Sequence, residues 1–367
     1  MGLALLSRRK NRQPQNNRGL PSHRRSDDYQ PAEPLKLDQD PLQRLLQMER
    51  YGAIVRNRDQ WQDHAMIQSV FQAAVEAIDE QFALVPEGFA SVSLAVNDFP
   101  GSPEEDFETK PFLLARCCVT QEQYQKFVDS GGYEDLQLWP QDIWPHLIDF
   151  KDQTGKPGPR YWQDGRHDKR FSRHPVVGIC YYEAAAYALW AGYRLPTGAE
   201  WQMAASWRIR SSANVLRRYP WGDSLDTAKC NIWASGIGGT LPVTEYENGA
   251  APNGVLQLIG NVWEWNSSNY EITDDCGRQV VGDMLLKEIR GGAYDTYFAS
   301  QATSCFRTGL ASLARMHNVG FRCVLDLDAK DQPLSQTPPS PDLPTAGRTT
   351  PAQPAQGPSN DPERRPQ

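Results

Sequence analysis

The sequence predicts an α+β domain with long ordered loops, preceded by a helical segment and flanked by two polar tails. Three observations predict it. Thr120-Gln-Glu-Gln123 and Thr197-Gly-Ala-Glu200 each place a hydroxyl three residues before a Gln or Glu that can answer it, the pattern of a capped helix start. From about residue 85 the remaining texture is short apolar runs broken by turn residues. All of the 11 Trp residues except Trp61 lie between 139 and 265, which sets the densest packing there.

Taken in order, residues 1–36 are polar and basic, and 329–367 are rich in Pro, Ser, Thr and Gln. Neither buries enough apolar surface to offset its ordering entropy, so both are expected to be disordered. Arg8, Arg9, Lys10, Arg12, Arg18, Arg24 and Arg25 cluster in the first tail. A solvated tail and an anchor to anionic lipid or RNA are the two readings of that cluster. Residues 37–84 carry Leu42, Leu45, Leu46 and Met48, then Trp61, Met66, Ile67, Val70, Phe71, Ala74, Val75 and Ile78 at three- and four-residue steps. They predict one or two amphipathic helices, packed on the main domain or on a partner.

The main domain is read as 85–328. The helix opened by Thr120 presents Tyr124, Phe127 and Val128 on one face, and Ser130-Gly-Gly132 stops it. Tyr181–Ala191 is a compact helix ended by Gly192. The helix opened by Thr197 runs through Trp201, Met203 and Ala204, with Trp201 expected in the core. Trp263 and Trp265 share one face of a strand, and Glu264 points to the other.

The formal net charge of -7 argues against nucleic acid as a partner of the folded domain. No stretch approaches transmembrane length, and Leu3-Ala-Leu-Leu6 is too short for a secretory signal. Seven cysteines, an odd number without regular spacing, suit a reducing compartment, and the expected location is cytoplasmic.

Five stretches, in this order, resemble the formylglycine-generating enzyme (sulfatase-modifying factor) family, whose domain is an elaborated C-type lectin-like fold. They are "PFLLARCCVTQEQYQKFVDSGGY" (111–133), "HPVVGICYYEAAAYALWAGYRLPTGAEWQMAA" (174–205), "YPWGD" (219–223), "GNVWEW" (260–265) and the frame "RGG…NVGFR" (290–322). The pair "RLPTGAEW" and "GNVWEW" is the most specific part. The resemblance implies a structural calcium site using the carbonyls of Gly260 and Val262 with the Glu264 carboxylate, and a second using Asn231 and the Ile232 carbonyl. Gln257 stands where the family commonly has Asn or Asp, and the loop 234–240 is short for the second site.

Oxidising members of that family hold copper on two thiolates spaced C-x4-C, because soft thiolates select Cu(I). The cysteines here are 117, 118, 180, 230, 276, 305 and 323, and no two are five apart. The matching positions fall near Tyr294–Thr296 and Ala299–Gln301, where there is no thiol, so copper is not expected. Cys305 is the candidate for a single reactive thiol, against its reading as a small buried hydrophobe. The iron-dependent branch, which uses H-x3-H, finds no such pair among His23, His64, His146, His167, His174 and His317. No nucleophile elbow marks a serine hydrolase.

Non-catalytic relatives include the ligand-displaying variable proteins of diversity-generating retroelements, and "CNIWASGIGGTLPV" (230–243) is similar to those modules. The resemblance therefore implies a recognition face made of Tyr294, Asp295, Tyr297, Phe298, Ser300, Thr303 and Phe306, residue types that combine contact area with adaptable hydrogen bonding. The alternative is that half of them pack inward. Three functional readings follow: a binding or accessory pseudoenzyme module with an unknown protein or small-ligand partner; a sulfatase-maturing or related metal-dependent oxidoreductase with an atypical site; and a structural subunit docked to another protein through 40–84.

Overall fold

The computed structural model describes residues 28–93, 104–208, 217–271 and 285–327. Helix α1 (Pro41–Gln47) begins where Asp40 accepts a hydrogen bond from the Gln43 amide at 2.9 Å, with Pro41 at a position that needs no donor. Glu49, at φ 58°, turns the chain into α2 (Tyr51–Arg56). The Asn57 side-chain amide then closes α2 on the Ala53 carbonyl at 2.9 Å, and α3 (Ile67–Gln81) follows. The segment expected to hold one or two helices thus holds three, because these two local breaks interrupt the apolar period.

The three helices share a small core of Leu42, Ile54, Ile67, Val70 and Ala74. They dock on the chain's own domain. The Gly52 amide donates to the Tyr193 hydroxyl at 3.2 Å, and Arg50 Nε donates to the Trp190 carbonyl at 2.7 Å. A Cβ on Gly52 would lie 2.5 Å from the Tyr193 ring, so this approach requires glycine.

Helix α3 runs straight into β1 (Phe82–Val85), which pairs antiparallel with β4 (Phe112–Ala115), and β4 pairs with β9 (Val324–Asp326). Between them β2 (Gly88–Ser93) and β3 (Glu104–Thr109) form a ribbon. The larger sheet has the order β7 (Arg307–Ala311), β6 (Leu286–Arg290), β5 (Trp263–Asn269), β8 (Val319–Gly320), with β5 and β8 parallel. Helices α4 (Gln121–Asp129), α5 (Tyr181–Ala191) and α6 (Gly198–Ser206) complete an α+β architecture.

Both expected capping boxes are closed. Thr120 Oγ1 accepts from the Gln123 amide at 3.1 Å while Gln123 Oε1 accepts from the Thr120 amide at 3.0 Å. Thr197 and Glu200 do the same at 3.1 and 2.8 Å. Gly192 ends α5 at φ 83°, in the left-handed region. The main core is aromatic: Tyr124 stacks on Tyr187 at 5.3 Å, and Phe321 meets both edge-on. A second core gathers Trp201, Met203, Val85, Phe112 and Leu258 under α6.

Inside the stretch expected to be an unstructured tail, residues 29–32 are tied to the domain. The Ala32 amide donates to His167 O at 3.1 Å and the Lys169 amide to Gln30 O at 2.8 Å. The basic cluster 8–25 and the tail beyond 327 lie outside the described residues. Among the described residues no helix is long and apolar enough to cross a membrane.

Candidate functional site

The frame of the C-terminal stretch is buried and held by charge. Arg290 has no exposure; it donates to Glu288 and, at 2.9 Å, to Gln202 Oε1. Gly291 and Gly292 follow at φ 97° and 78°, and a Cβ on Gly291 would meet the Leu258 carbonyl at 2.7 Å. At the far end, Arg322 has no exposure and closes on Glu264 through Nε at 2.7 Å and Nη2 at 2.6 Å. Burial alone would lower the Arg322 pKa, but the Glu264 charge more than reverses this, so the guanidinium stays charged.

Between these ends the loop divides into two halves. In the first, the Ala293 amide donates to Thr296 Oγ1 at 2.7 Å, and Tyr294 and Asp295 are half-buried. Asp295 accepts from Asn318 Nδ2 at 3.0 Å and faces His317 Nε2 at 3.2 Å. The Tyr294 ring meets His317 edge-on at 6.2 Å, and burial pushes its hydroxyl up to about 12. In the second half, Tyr297 and Phe298 are 63% and 61% exposed, and Ser300 is exposed beside them.

Two of the expected face residues turn inward instead. Thr303 is buried and its Oγ1 accepts from the Phe306 amide at 3.3 Å, so it caps a turn. Phe306 packs against the aromatic core, 6.0 Å from Trp263. The cause is register: the chain bends back at 302–304, where the Ser304 amide donates to Arg218 O at 2.9 Å, and enters β7. One exposed residue belongs to the face without having been expected there. Trp233 is 57% exposed and meets Tyr297 at 4.7 Å, while its amide donates to Thr296 O at 3.3 Å. Its segment, 230–243, stood out in the sequence, but nothing local to it points toward Tyr297.

The residues implied for calcium do not fit a hard cation. Glu264 is fully buried, with Arg322 on both oxygens and Trp201 Nε1 donating to Oε2 at 2.8 Å. The Gly260 carbonyl accepts from the Val262 amide at 2.9 Å, and the Ile232 carbonyl from the Ser235 amide at 2.9 Å. Gln257 donates to the carbonyls of Pro242 and Glu245 at 3.0 and 2.9 Å, so an amide nitrogen sits among backbone oxygens. Asn231 Oδ1 is left buried without a hydrogen-bond partner, but one neutral oxygen is not the six or more that calcium takes.

Nor do the side chains at Tyr294–Thr296 and Ala299–Gln301 fit copper, since none is a thiol. Cys305 is half-buried beside Ser304, with its sulfur 3.8 Å from Ser304 Oγ. Cys118 lies at the Glu264–Arg322 pair, and burial, then the Glu264 charge, raises its thiol well above the usual range. No disulfide joins the six described cysteines, and Cys276 lies outside the described residues. Among the described residues no group of three or more His, Cys, Asp or Glu is placed to hold a metal ion.

The family description of the sulfatase-modifying factor enzyme 1-like domain matches residues 68–327. The chain is 36% identical over 177 residues to hercynine oxygenase of Mycobacterium tuberculosis, covering 45% of this chain and 40% of that one. It therefore spans about two-fifths of that relative's length. It is 30% identical over 266 residues to formylglycine-generating enzyme of Streptomyces coelicolor, covering 62% and 82%. To inactive C-alpha-formylglycine-generating enzyme 2 of Bos taurus it is 32% identical over 256 residues, covering 60% and 79%.

Proposed function

This chain belongs to the sulfatase-modifying factor enzyme 1-like family, and from that premise we propose that it works as a non-catalytic binding module, presenting a ligand or protein with the loop face at 294–300 and Trp233. The observation that carries this reading is the contrast within one loop: a buried, charge-locked frame at 290–292 and 320–322 holds Tyr297 and Phe298 more than half exposed. Loops on a rigid scaffold carry binding at little cost to stability. A relative of similar coverage is itself named inactive. The cytoplasm is the proposed setting, since an odd number of irregularly spaced cysteines suits a reducing compartment.

A second reading has its own support in the relatives named as hercynine oxygenase and formylglycine-generating enzyme: an oxidoreductase with an atypical site. Aerobic incubation with a Cys-x-Pro-x-Arg peptide and copper, followed by mass spectrometry, separates the two. The binding reading expects the thiol mass to persist. Copper-dependent conversion would overturn it and make Cys305 the first residue to replace.

A further inference from the structure

Away from the loop face, three side chains line up in the order nucleophile, base, orienter. Ser172 Oγ lies 2.9 Å from His167 Nε2, and His167 Nδ1 lies 3.1 Å from Gln125 Oε1. Gln125 is held in one orientation. Its Nε2 donates to Asp129 Oδ1 at 3.0 Å and to Gly165 O at 2.9 Å, while its Oε1 accepts from the His167 amide at 3.1 Å. Asp129 is fixed in turn by Arg166 Nη1 at 2.8 Å. An amide oxygen facing Nδ1 admits only the imidazole tautomer that carries its proton there. Nε2 is therefore left with its lone pair toward the Ser172 hydroxyl.

The tautomer decides what the serine can do. Its single proton has two acceptors, His167 Nε2 and, at 3.0 Å, Lys169 O, and among the described residues no group donates to Oγ. The oxygen keeps its lone pairs for attack while a base lies at hydrogen-bond distance, the arrangement that activates a hydroxyl. An amide as third member can orient an imidazole in place of a carboxylate, as Asn does in Cys-His-Asn sites. His167 is 2% exposed, and burial lowers its pKa from 6.5 to about 4; Asp168 and Asp129 raise it and Arg166 lowers it. The imidazole is thus neutral, and able to accept, at ordinary pH. Ser172 itself is only half-buried, at the end of the short turn Lys169–Phe171, and Lys169, Arg170, Phe171 and Arg173 around it in the chain are exposed.

We propose that Ser172 is a site of covalent O-acylation, with His167 as general base and Gln125 as positioning residue, taking its acyl group from an activated ester or thioester. Ser172 Oγ attacks the carbonyl carbon. The Oγ–C bond forms as the bond to the leaving alkoxide or thiolate breaks, and the Oγ proton passes through Nε2 to that leaving group. Nothing is oxidised or reduced, and the products are a serine ester on the chain and a free alcohol or thiol. The site shares no residue with the face at 294–300 and Trp233, so it goes beyond the binding reading and does not rest on it.

Incubation of the full chain with p-nitrophenyl acetate, which releases a coloured phenolate, tests the proposal. Mass spectrometry is expected to find one acetyl group on the peptide containing Ser172, and none there in Ser172→Ala. The rate should stay constant from about pH 6 to 8, because the base is already deprotonated, whereas a serine without a base reacts about tenfold faster per pH unit as hydroxide rises. His167→Gln should slow acetylation at least about tenfold. If that variant does not fold, the wild-type pH profile decides alone. Nitrogen NMR of the wild-type His167 ring reads the tautomer independently: a proton on Nδ1 is expected, and a proton on Nε2 overturns the proposal. No acetyl group at Ser172, or a rate that climbs with pH throughout that range, overturns it as well.

Discussion

Arg322 and Glu264 form a fully buried, two-point ion pair, 2.7 and 2.6 Å across, at the point where the end of the C-terminal stretch meets strand β5. Removing one partner strands the other charge in the core. Glu264→Ala is expected to cost about 3–5 kcal/mol in urea unfolding, and Arg322→Met a similar amount. A loss below about 1 kcal/mol for either would show that the pair is not closed in solution.

The same geometry predicts indifference to chelators. A cation bound only to the native state would stabilise it by mass action. With Glu264 engaged by Arg322 and Trp201, EDTA is expected to leave the melting temperature unchanged, in both the wild type and Asn231→Ala. A fall of several degrees on chelation in the wild type, absent in Asn231→Ala, would restore a calcium site at the unpartnered Asn231 oxygen.

The two halves of the loop are expected to differ in tolerance. Tyr297→Ala with Phe298→Ala should change stability by no more than about 0.5 kcal/mol each, as ordinary surface substitutions do. Phe321→Ala, which removes the ring that meets the stacked Tyr124 and Tyr187 edge-on, should cost about 3–5 kcal/mol. If the exposed pair unfolds the domain, the loop is core and not a face.

Docking of the helical segment depends on one glycine. Gly52→Ala places a methyl 2.5 Å from the Tyr193 ring and 2.6 Å from the Gly192 carbonyl. A loss of about 1–3 kcal/mol is expected despite the better helix propensity of Ala. Faster amide exchange in α2 than in α5 would locate the damage; equal exchange would disprove the contact.

Lys287 supplies a pH signature. It is buried, donates to Ser267 O at 2.9 Å and lies over the Tyr181 ring at 4.4 Å, and desolvation lowers its pKa from 10.5 to about 8. A lowered lysine pKa means that the unfolded chain holds more protons between about pH 8 and 10.5, so this group's contribution to stability rises with pH there. Lys287→Met should therefore stabilise the protein at pH 7 by on the order of 2 kcal/mol, and the gain should shrink as pH passes 8. A difference between the two proteins that stays constant from pH 7 to 9.5 would contradict this.

What the sequence by itself determined are the features whose causes lie within a few residues. The Thr120–Gln123 and Thr197–Glu200 boxes, the Gly192 stop, the glycine turns at 291–292 and the opposition of Glu264 to Trp263 and Trp265 all follow from local hydrogen bonding, backbone freedom or strand period. The tertiary structure alone decided which residues of 294–306 face water, since an irregular loop has no period from which to read a face. It also decided that Trp233 joins Tyr297, that the Glu264 oxygens answer Arg322 rather than a cation, and that the N-terminal helices cover their own domain. Each of those outcomes pairs groups far apart in the chain, and burial sets their worth: an unpaired charge or an exposed ring is costly or useful only according to what the distant segment brings to it.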